Sequence, residues 1–211
     1  MTGVRVPADC GEPPAGWKWR PITSLARLES GHTPSRRVPE WWGGDIPWLA
    51  LPDIRELDGR VATKTLETTN ALGLANSSAR LLPRDTVCLS RTASVGFVTV
   101  LGVPMATSQD FVNWVCGPDL DPWFLANALI ASQQYLRELA SGAIHKTIYV
   151  PTVKLLMICT PRDVATQRRI VSNLDQVRQQ VARARAAAEA QLMEIDSIES
   201  VLLSAAFSGG T

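Results

Sequence analysis

Small or apolar residues recur at alternating steps of four and three through the C-terminal part of the chain, and this pattern limits the fold more than any other feature. A heptad pattern sustained for about five heptads predicts a long helix that pairs with another helix along these positions. Such a helix from Ile170 to Ala205 is about 54 Å long, which exceeds the width of a domain of this size, so packing on its own domain is the less favoured interpretation. The positions are Ile170, Leu174, Val177, Val181, Ala184, Ala188, Ile195, Ile198, Leu202 and Ala205, with the polar Gln191 in one place of the series.

Charged residues along the same segment are sorted by sign, with basic residues in the first half and acidic residues in the second. This order opposes the helix macrodipole, which favours acidic residues near the start of a helix and basic residues near its end. An antiparallel helix of the same sequence compensates, because it lays the basic half of one chain on the acidic half of the other. We therefore expect a homodimer whose two-fold axis lies near Ala187 and Ala188. The first half holds Arg162, Arg168, Arg169, Arg178, Arg183 and Arg185 against Asp163 and Asp175, and the second half holds Glu189, Glu194, Asp196 and Glu199.

Composition permits one domain of about 150 residues in addition to the helix. A hydrophobic content of 45% and seven tryptophans support a core, and a net charge of +1 does not by itself indicate nucleic acid. The 17 arginines against 4 lysines suit bidentate contacts to phosphate or guanine, and a GC-rich genome explains the same bias equally well. The scattered Cys10, Cys88, Cys116 and Cys159 form no zinc motif, so no metal is expected. Without a signal peptide or a membrane-spanning run, we expect a cytoplasmic protein.

The chain divides into four predicted segments. Residues 1–16 are expected to form a flexible tail, residues 17–160 a compact domain, residues 161–207 the long helix and residues 208–211 a short tail. Thr160 is the predicted N-cap of the long helix, with Pro161 at its first position and Asp163 three residues after the cap.

Within the domain, short strands alternate with turn signals and one helix. Asp121 is the predicted cap of that helix, Pro122 lies in its first turn, and Ser141-Gly142 end it. The fold class is therefore α+β, with a domain of mixed short strands and helices followed by a long C-terminal helix that forms an antiparallel coiled coil. The predicted strands are Thr86–Ser90, Gly96–Leu101, Phe111–Cys116 and Val153–Cys159, and the predicted apolar stripe of the helix is Leu125, Leu129, Leu136 and Leu139.

Catalytic signatures are missing from the sequence. It has no phosphate-binding loop, no dinucleotide fingerprint and no (N/D/S)-P-P-(Y/F/W) motif of the kind that amino-methyltransferases use to hold a flipped base. Asp110 is a lone carboxylate at the start of a strand, where a structural role is more common than a catalytic one. We expect the isolated chain not to be an enzyme.

Several short motifs in order resemble the DNA-specificity subunits of type I restriction-modification systems, in a half-length form with one target-recognition domain and one long helix. Thr166 stands where this family usually has Glu at the start of the long helix. The segments that carry the resemblance are Trp19 to Leu28 (similar to an opening helix), Gly31-His32-Thr33-Pro34-Ser35 (a turn), Ile46 to Leu49 with Asp53-Ile54 (a first strand), Leu82 to Val87 and Ser90 to Thr92 with Gly96 (a central hairpin), Gln109-Asp110-Phe111, Gly142 to Thr147, Pro161 to Ile170, and Leu203 to Gly209.

The resemblance implies a subunit that chooses a DNA site for other subunits to act on. The domain would bind double-stranded DNA, and the helix would serve as a spacer and as a dock for methyltransferase subunits that use S-adenosylmethionine. The chain itself would need no cofactor, and a restriction/translocase subunit is a further partner that the resemblance admits. A two-fold homodimer implies an inverted-repeat target, with half-sites about one to one and a half DNA turns apart, since one turn spans about 34 Å.

Three loops supply the candidate DNA contacts, and for each loop an ordinary solvated surface is the alternative. The tryptophans Trp41 and Trp42 are either core residues, as expected for Trp48, or an exposed loop tip. Arg60, Lys64, Arg80 and Arg84 are interpreted as scattered surface charge. The candidates are Thr33, Ser35, Arg36 and Arg37 in the first loop, Arg91, Thr92 and Ser94 in the second, and His145, Lys146 and Thr147 in the third.

Two other functions stay open from the sequence alone. One is a detached recognition domain of a single-chain methyltransferase or restriction enzyme, although a start Met and a short tail precede the domain here. The other is a coiled-coil scaffold that never touches DNA. Binding to random duplex that weakens steeply with salt separates a DNA reader from a scaffold.

Overall fold

Eleven strands and six helices are formed by the residues that the computed structural model describes, 3–141 and 146–208, with only the backbone described at 199 and 200. This mixed architecture confirms the predicted α+β class. The strands are β1 (Val4–Arg5), β2 (Trp17–Pro21), β3 (Ala26–Ser30), β4 (Trp42–Leu49), β5 (Val61–Ala62), β6 (Glu67–Thr69), β7 (Val87–Ser90), β8 (Val98–Leu101), β9 (Ala106–Thr107), β10 (Phe111–Cys116) and β11 (Met157–Pro161). The helices are α1 (Leu51–Leu57), α2 (Ala71–Ala75), α3 (Pro122–Ile130), α4 (Gln133–Glu138), α5 (Val150–Lys154) and α6 (Val164–Ser208).

The described strands form three sheets. The largest has the order β3-β10-β7-β8-β5, in which only the β5–β8 pair is parallel. A second sheet has the order β6-β4-β9, and its β4–β6 pairing shifts register between Trp42 and Ile46. The third has the order β1-β11-β2 and is antiparallel throughout.

The main core lies under the five-stranded sheet, where helices α1 and α3 face strands β7 and β8. Ile54 of α1 and Leu101 of β8 are both fully buried and belong to one apolar cluster with Leu49, Met105 and Phe111. The predicted hairpin is confirmed, because β7 and β8 pair antiparallel with Val87 opposite Val100. The loop that joins these two strands is therefore held at one end of a rigid sheet.

The N-terminal segment differs from the predicted flexible tail. Val4 is fully buried and pairs with Ile158 of β11, and its N–H donates to Ser132 Oγ at 2.9 Å. A strand of two residues is too short to show a period, so the sequence pattern could not reveal it.

The segment from Trp19 to Leu28 is not a helix. Strands β2 and β3 flank a short 3-10 helix at Ile22–Ser24, because β2 pairs with β11 and β3 pairs with β10. The expected helix rested on the resemblance alone, and pairing in two different sheets sets the backbone of the segment instead.

The predicted single helix after Asp121 is two helices. The cap is confirmed, since Asp121 Oδ1 accepts hydrogen bonds from Trp123 N and Phe124 N, each at 3.0 Å. The break falls at Ala131 and Ser132, where Ser132 Oγ donates to Ala128 O at 2.8 Å and accepts from Val4 N. The predicted end at Ser141-Gly142 lies partly outside the described residues.

The residues around the start of the long helix also differ from the prediction. The predicted strand over Val153–Cys159 is divided between α5 and β11. Thr160 and Pro161 pair with Lys18 and Trp17 as the end of β11, so they neither cap nor begin the helix. Helix α6 begins at Val164, and Asp163 Oδ1 accepts from Thr166 N at 2.6 Å in the manner of a cap.

Contacts divide the chain into two units, Met1–Arg168 and Arg169–Thr211. The second unit consists of most of α6, a helix of 45 residues. Eleven large apolar side chains of this helix are exposed in the described part of the chain, including Leu174, Val177 and Ile198 of the heptad series. A helix with so much uncovered apolar surface is marginally stable in water by itself.

Candidate nucleic-acid interface

The loop after β7 is fixed by contacts with two other segments of the chain, residues 109–110 and 147–148. Arg91 N donates to Asp110 O at 2.8 Å, and Arg91 O accepts from Ile148 N at 2.9 Å. The Arg91 guanidinium donates to Gln109 O at 2.9 Å. Thr92 is bridged to Thr147, which brings the second and third predicted loops together.

The turn of this loop uses left-handed backbone. Ala93 has a φ of 58° and its N–H donates to Lys146 O at 3.0 Å. Gly96 has a φ of 99° and donates to Ser90 O at 3.0 Å, a conformation that favours glycine. Thr92, Ala93 and Ser94 are therefore held in a defined shape at the surface.

The first predicted loop joins the same region through Thr33. Gly31 N donates to Phe111 O at 3.2 Å and His32 N donates to Thr107 O at 2.8 Å. Thr33 Oγ1 donates to Gln109 Oε1, so Gln109 connects the first loop with the second. The sequence motif containing Gln109 is thus a junction between two candidate DNA-binding loops.

Close packing at Gly31 makes this junction possible. A Cβ at Gly31 would lie 1.8 Å from the backbone oxygen of Ser108, which no side chain tolerates. Ser108 Oγ in turn donates to Asp110 Oδ2 at 2.9 Å. Asp110 therefore has a structural partner at the turn before β10.

Arg36 is held by the protein itself. Its guanidinium donates to both carboxylate oxygens of Glu67, one at 2.7 Å, and lies 3.9 Å from the ring of Trp42 and 4.8 Å from the ring of Trp48. These hydrogen bonds hold the pKa of Glu67 below its ordinary value and raise the pKa of Arg36, while burial opposes both shifts. The charge of Arg36 is neutralised in place by Glu67, although both Arg36 and the neighbouring Arg37 are exposed.

The tryptophans of this region have divided roles. Trp48 is 3% exposed and packs edge-on against Trp42 with ring centroids 4.9 Å apart, so these two belong to the core side of the loop. Trp41 lines an open cavity of about 630 Å³ with Thr33, Ser35 and Asn76. Trp41 and Trp42 do not form the exposed loop tip that the sequence left open.

Basic side chains without an ion pair gather around the second loop. Arg55, Arg91, Arg137 and Lys146 form no salt bridge with any residue in the described part of the domain. Arg55 donates to Ser94 Oγ at 3.2 Å, and Arg137 Nε donates to Val95 O at 3.3 Å. Sequence reasoning missed Arg55 and Arg137, because each is an isolated arginine on a short helix with no motif around it.

The structure thus brings together most of the predicted DNA-binding residues. Thr33, Arg91, Thr92 and Ser94 surround one surface with Lys146 and Thr147, whereas Ser35, Arg36 and Arg37 lie on the side of Trp42. His145 lies outside the described residues. The set offers hydroxyls and cations that form no ion pair among the described residues, which are the groups that contact phosphates and base edges.

Neither a metal site nor a membrane-spanning helix is found in residues 3–141 and 146–208. No group of three or more His, Cys, Asp or Glu side chains there is arranged to hold a metal ion. No helix there combines the length and the apolar character needed to cross a membrane.

The chain is similar to several specificity subunits of known restriction systems. It is 25% identical over 162 residues to the type I restriction enzyme MjaIX specificity subunit of Methanocaldococcus jannaschii, covering 76% of this chain and 38% of that protein. It is 29% identical over 131 residues to the HindI specificity subunit of Haemophilus influenzae, covering 61% and 28% respectively. The chain thus spans less than half the length of these relatives.

Solved structures share the fold. The HsdS subunit from Thermoanaerobacter tengcongensis matches with a TM-score of 0.66 at 20% identity, over 86% of this chain and 42% of that one. A chain from a structure of type I R-M complex assembly and conformational transition matches with a TM-score of 0.68 at 20% identity, over 90% and 46% respectively. The model of the type I restriction modification DNA specificity domain matches residues 14–191, which is most of the chain. The protein therefore belongs to the family of type I restriction-modification DNA-specificity subunits.

Proposed function

We propose that this chain is a non-catalytic DNA-binding specificity subunit that pairs with a second copy of itself through α6 to read a bipartite inverted-repeat site. The observation that carries the proposal is the uncovered seam of α6. Val177, Val181 and Ile198 are 54%, 48% and 54% exposed, and they repeat at heptad spacing. A seam of this length calls for another helix of matching pattern.

Charge favours a second copy in the antiparallel direction. The basic first half of α6, with Arg178, Arg183 and Arg185, then lies along the acidic second half of its partner, with Glu189 and Glu194. A parallel pair would instead place like charges beside each other.

The alanine-rich centre of α6 also supports this pairing. Small side chains allow two helix backbones to approach closely around the two-fold axis, which we place near Ala187 and Ala188. The residues are Ala182, Ala184, Ala186, Ala187, Ala188 and Ala190.

A symmetric pair of identical readers recognises a symmetric target. With about 54 Å of seam against about 34 Å per DNA turn, the two half-sites should be separated by about one to one and a half turns. The loops around Arg91, Thr33 and Lys146 would contact each half-site. Methyltransferase subunits, and in some complexes a restriction/translocase subunit, would then act at the chosen site with S-adenosylmethionine bound to the methyltransferase.

The test combines solution mass with a crosslink. Light scattering of the full chain should give twice 22.9 kDa. Under mild oxidation, Ala188→Cys should give a covalent dimer, whereas Ala186→Cys, on the outer face of the same helix, should not. Wild-type protein carries the four native cysteines and controls for their crosslinking.

A monomeric mass would contradict self-pairing, and the inverted-repeat target would be rejected with it. Equal crosslinking at Ala186 and Ala188 would contradict the proposed seam while leaving DNA reading intact. A chain that dimerises but shows no salt-dependent binding to duplex DNA would support the coiled-coil scaffold instead.

A further inference from the structure

A small cavity beside the loop after β7 has a basic rim. It has a volume of about 320 Å³ and is lined by backbone and side chains of the loop, with Arg137 and Lys146 at its edge. Ser94, Val95 and Phe97 form its loop side. The cavity is therefore part of the loop that already carries Arg91 and Thr92.

Two cations, Arg137 and Lys146, line this cavity, and a third, Arg55, contacts Ser94 of its lining. Arg55 comes from α1, Arg137 from α4, and Lys146 from the segment before α5. Arg55 Nη2 lies 3.2 Å from Ser94 Oγ, and Arg137 Nε lies 3.3 Å from Val95 O. All three side chains are exposed and form no ion pair among the described residues.

The remaining donors of these groups are available to a ligand. Because Arg137 uses Nε for Val95 O, its two terminal nitrogens form no hydrogen bond with the described residues. Ser94 Oγ accepts from Arg55, so its own proton can be donated to another acceptor. The carboxylate of Asp58, which packs against α4, forms no ion pair with these cations among the described residues. It accepts hydrogen bonds from Gln133 Nε2 at 3.0 Å and from Val98 N at 2.8 Å instead.

Two residues of the loop have left-handed backbone, Gly96 and Ala93. Gly96 has a φ of 99°, and a Cβ there would lie 3.6 Å from Arg137 Nε. Ala93, at a φ of 58°, turns the chain so that its N–H meets Lys146 O. The turn therefore brings the loop next to the backbone of Lys146, while Arg55 contacts Ser94.

We propose that this cavity binds one backbone phosphate of the DNA, with Arg55, Arg137 and Lys146 supplying charge and Ser94 supplying a hydroxyl donor. The inference rests on the proposed DNA-reading function and assigns a ligand group to one part of its surface. A base edge is neutral and would leave several converging cations uncompensated, whereas a phosphate is anionic and accepts hydrogen bonds only. This contact would set the register of the domain on the duplex and carry no sequence information.

Salt dependence of DNA binding by the full chain tests the assignment. Arg137→Gln and Arg55→Gln should each weaken binding to a fluorescent random-sequence duplex by about tenfold and lower the slope of log K against log salt by up to about 1. Arg84→Gln is the matched control, because Arg84 is an exposed arginine at the opposite end of β7 and pairs with Asp85. It removes the same charge and should leave the slope within about 0.2 of wild type.

Thermal unfolding of each variant shows whether the domain remains folded. If Arg137→Gln is unstable through loss of its bond to Val95, then Lys146→Gln, whose side chain has no partner among the described residues, provides the same test. Slopes equal to wild type in Arg55→Gln and Lys146→Gln would overturn the phosphate assignment while DNA binding stands. A wild-type chain that does not bind duplex DNA would instead overturn the proposed function itself.

Discussion

Replacing Ile198 by Asp should separate the proposed dimer into monomers. Ile198 is 54% exposed in the single chain and, in an antiparallel pair centred near Ala188, faces the partner's stretch from Leu174 to Val177. In the monomer the substitution replaces an exposed side chain, which changes stability by only about 0.5 kcal/mol. Any large effect must therefore come from the contact between two chains.

The expected loss of dimer stability follows from the exposed fraction of the Ile198 side chain. Full burial of an Ile, Leu or Val side chain contributes about 1.5–3 kcal/mol, so covering the exposed half of Ile198 contributes about 1 kcal/mol. The two-fold axis repeats the contact, and the facing Leu174 or Val177 loses a similar amount, which gives about 4 kcal/mol for the pair. That loss raises the dissociation constant about 1000-fold, before the cost of burying the two carboxylates is counted.

A loss of about 4 kcal/mol is large compared with the total stabilisation that burial of the seam provides. Six large apolar positions on each helix contribute about 12 kcal/mol in total at about 1 kcal/mol each, and association itself costs about 4–15 kcal/mol. The net stability of the dimer is therefore sensitive to one position. The six are Leu174, Val177, Val181, Ile195, Ile198 and Leu202.

Sedimentation velocity over about 1–100 µM protein measures this effect, with far-UV circular dichroism as a second reading. Wild type should sediment as a dimer and Ile198→Asp as a monomer with less helix, because an unpaired amphipathic helix is marginal in water. Ser197→Asp adds the same charge on the outer face of α6 and should remain dimeric. A dimeric Ile198→Asp variant, or equal dissociation of the Ser197→Asp control, would refute the argument from seam burial.

Three further changes test the domain. Gly31→Ala should destabilise it by about 3 kcal/mol, seen as a lower Tm, because the added Cβ meets the Ser108 backbone oxygen at 1.8 Å. Arg36→Lys should lower the Tm without changing the salt slope of DNA binding, because Arg36 is bound to Glu67. Burial raises the pKa of Cys116 to about 12. Above about pH 9 the thiol ionises in the unfolded chain and not in the folded one, so the free energy of unfolding should fall as the pH rises. Cys116→Ser should reduce this pH dependence.

Controls for these three follow from the same structure. Gly11→Ala, which meets no atom within 4 Å, should leave the Tm unchanged. A reduced salt slope in Arg36→Lys would show that Arg36 contacts phosphate after all. An unchanged pH profile in Cys116→Ser would contradict the role of Cys116; Cys88, a fully buried thiol whose pKa is also raised, would then account for the profile.

Elements with local sequence signals were predictable. Phe111–Cys116 is a strand with the predicted bounds, and Asp121 caps a helix as predicted, because β-branched runs and capping residues act within a few positions. The short strand Val4–Arg5 and the break at Ser132 depend on each other through a hydrogen bond across 128 residues. No local pattern can report such a contact.

In the candidate interface, too, some residues were predictable from local sequence signals and others depend on tertiary packing. The sequence identified Arg91, Ser94 and Lys146 through loops rich in Gly and hydroxyls, and the fold places them around one surface. Arg55 and Arg137 come from helices that only tertiary packing directs to that surface. The sequence also predicted Arg36 as a DNA contact, yet the fold commits its guanidinium to Glu67 and two tryptophans.

The net charge of +1 conceals how charge is arranged in the domain. Several arginines lie within 4 Å of a carboxylate, such as Arg36 at Glu67, so their fields are largely cancelled a short distance away. Arg55, Arg137 and Lys146 have no such neighbour among the described residues, so no ion pair cancels their charge near Ser94 although the chain as a whole is nearly neutral. Affinity for a polyanion depends on the unpaired charges within a Debye length of the contact, about 8 Å at physiological salt. A nearly neutral composition is therefore compatible with a strongly salt-dependent DNA reader, provided that ion pairs neutralise the other cations.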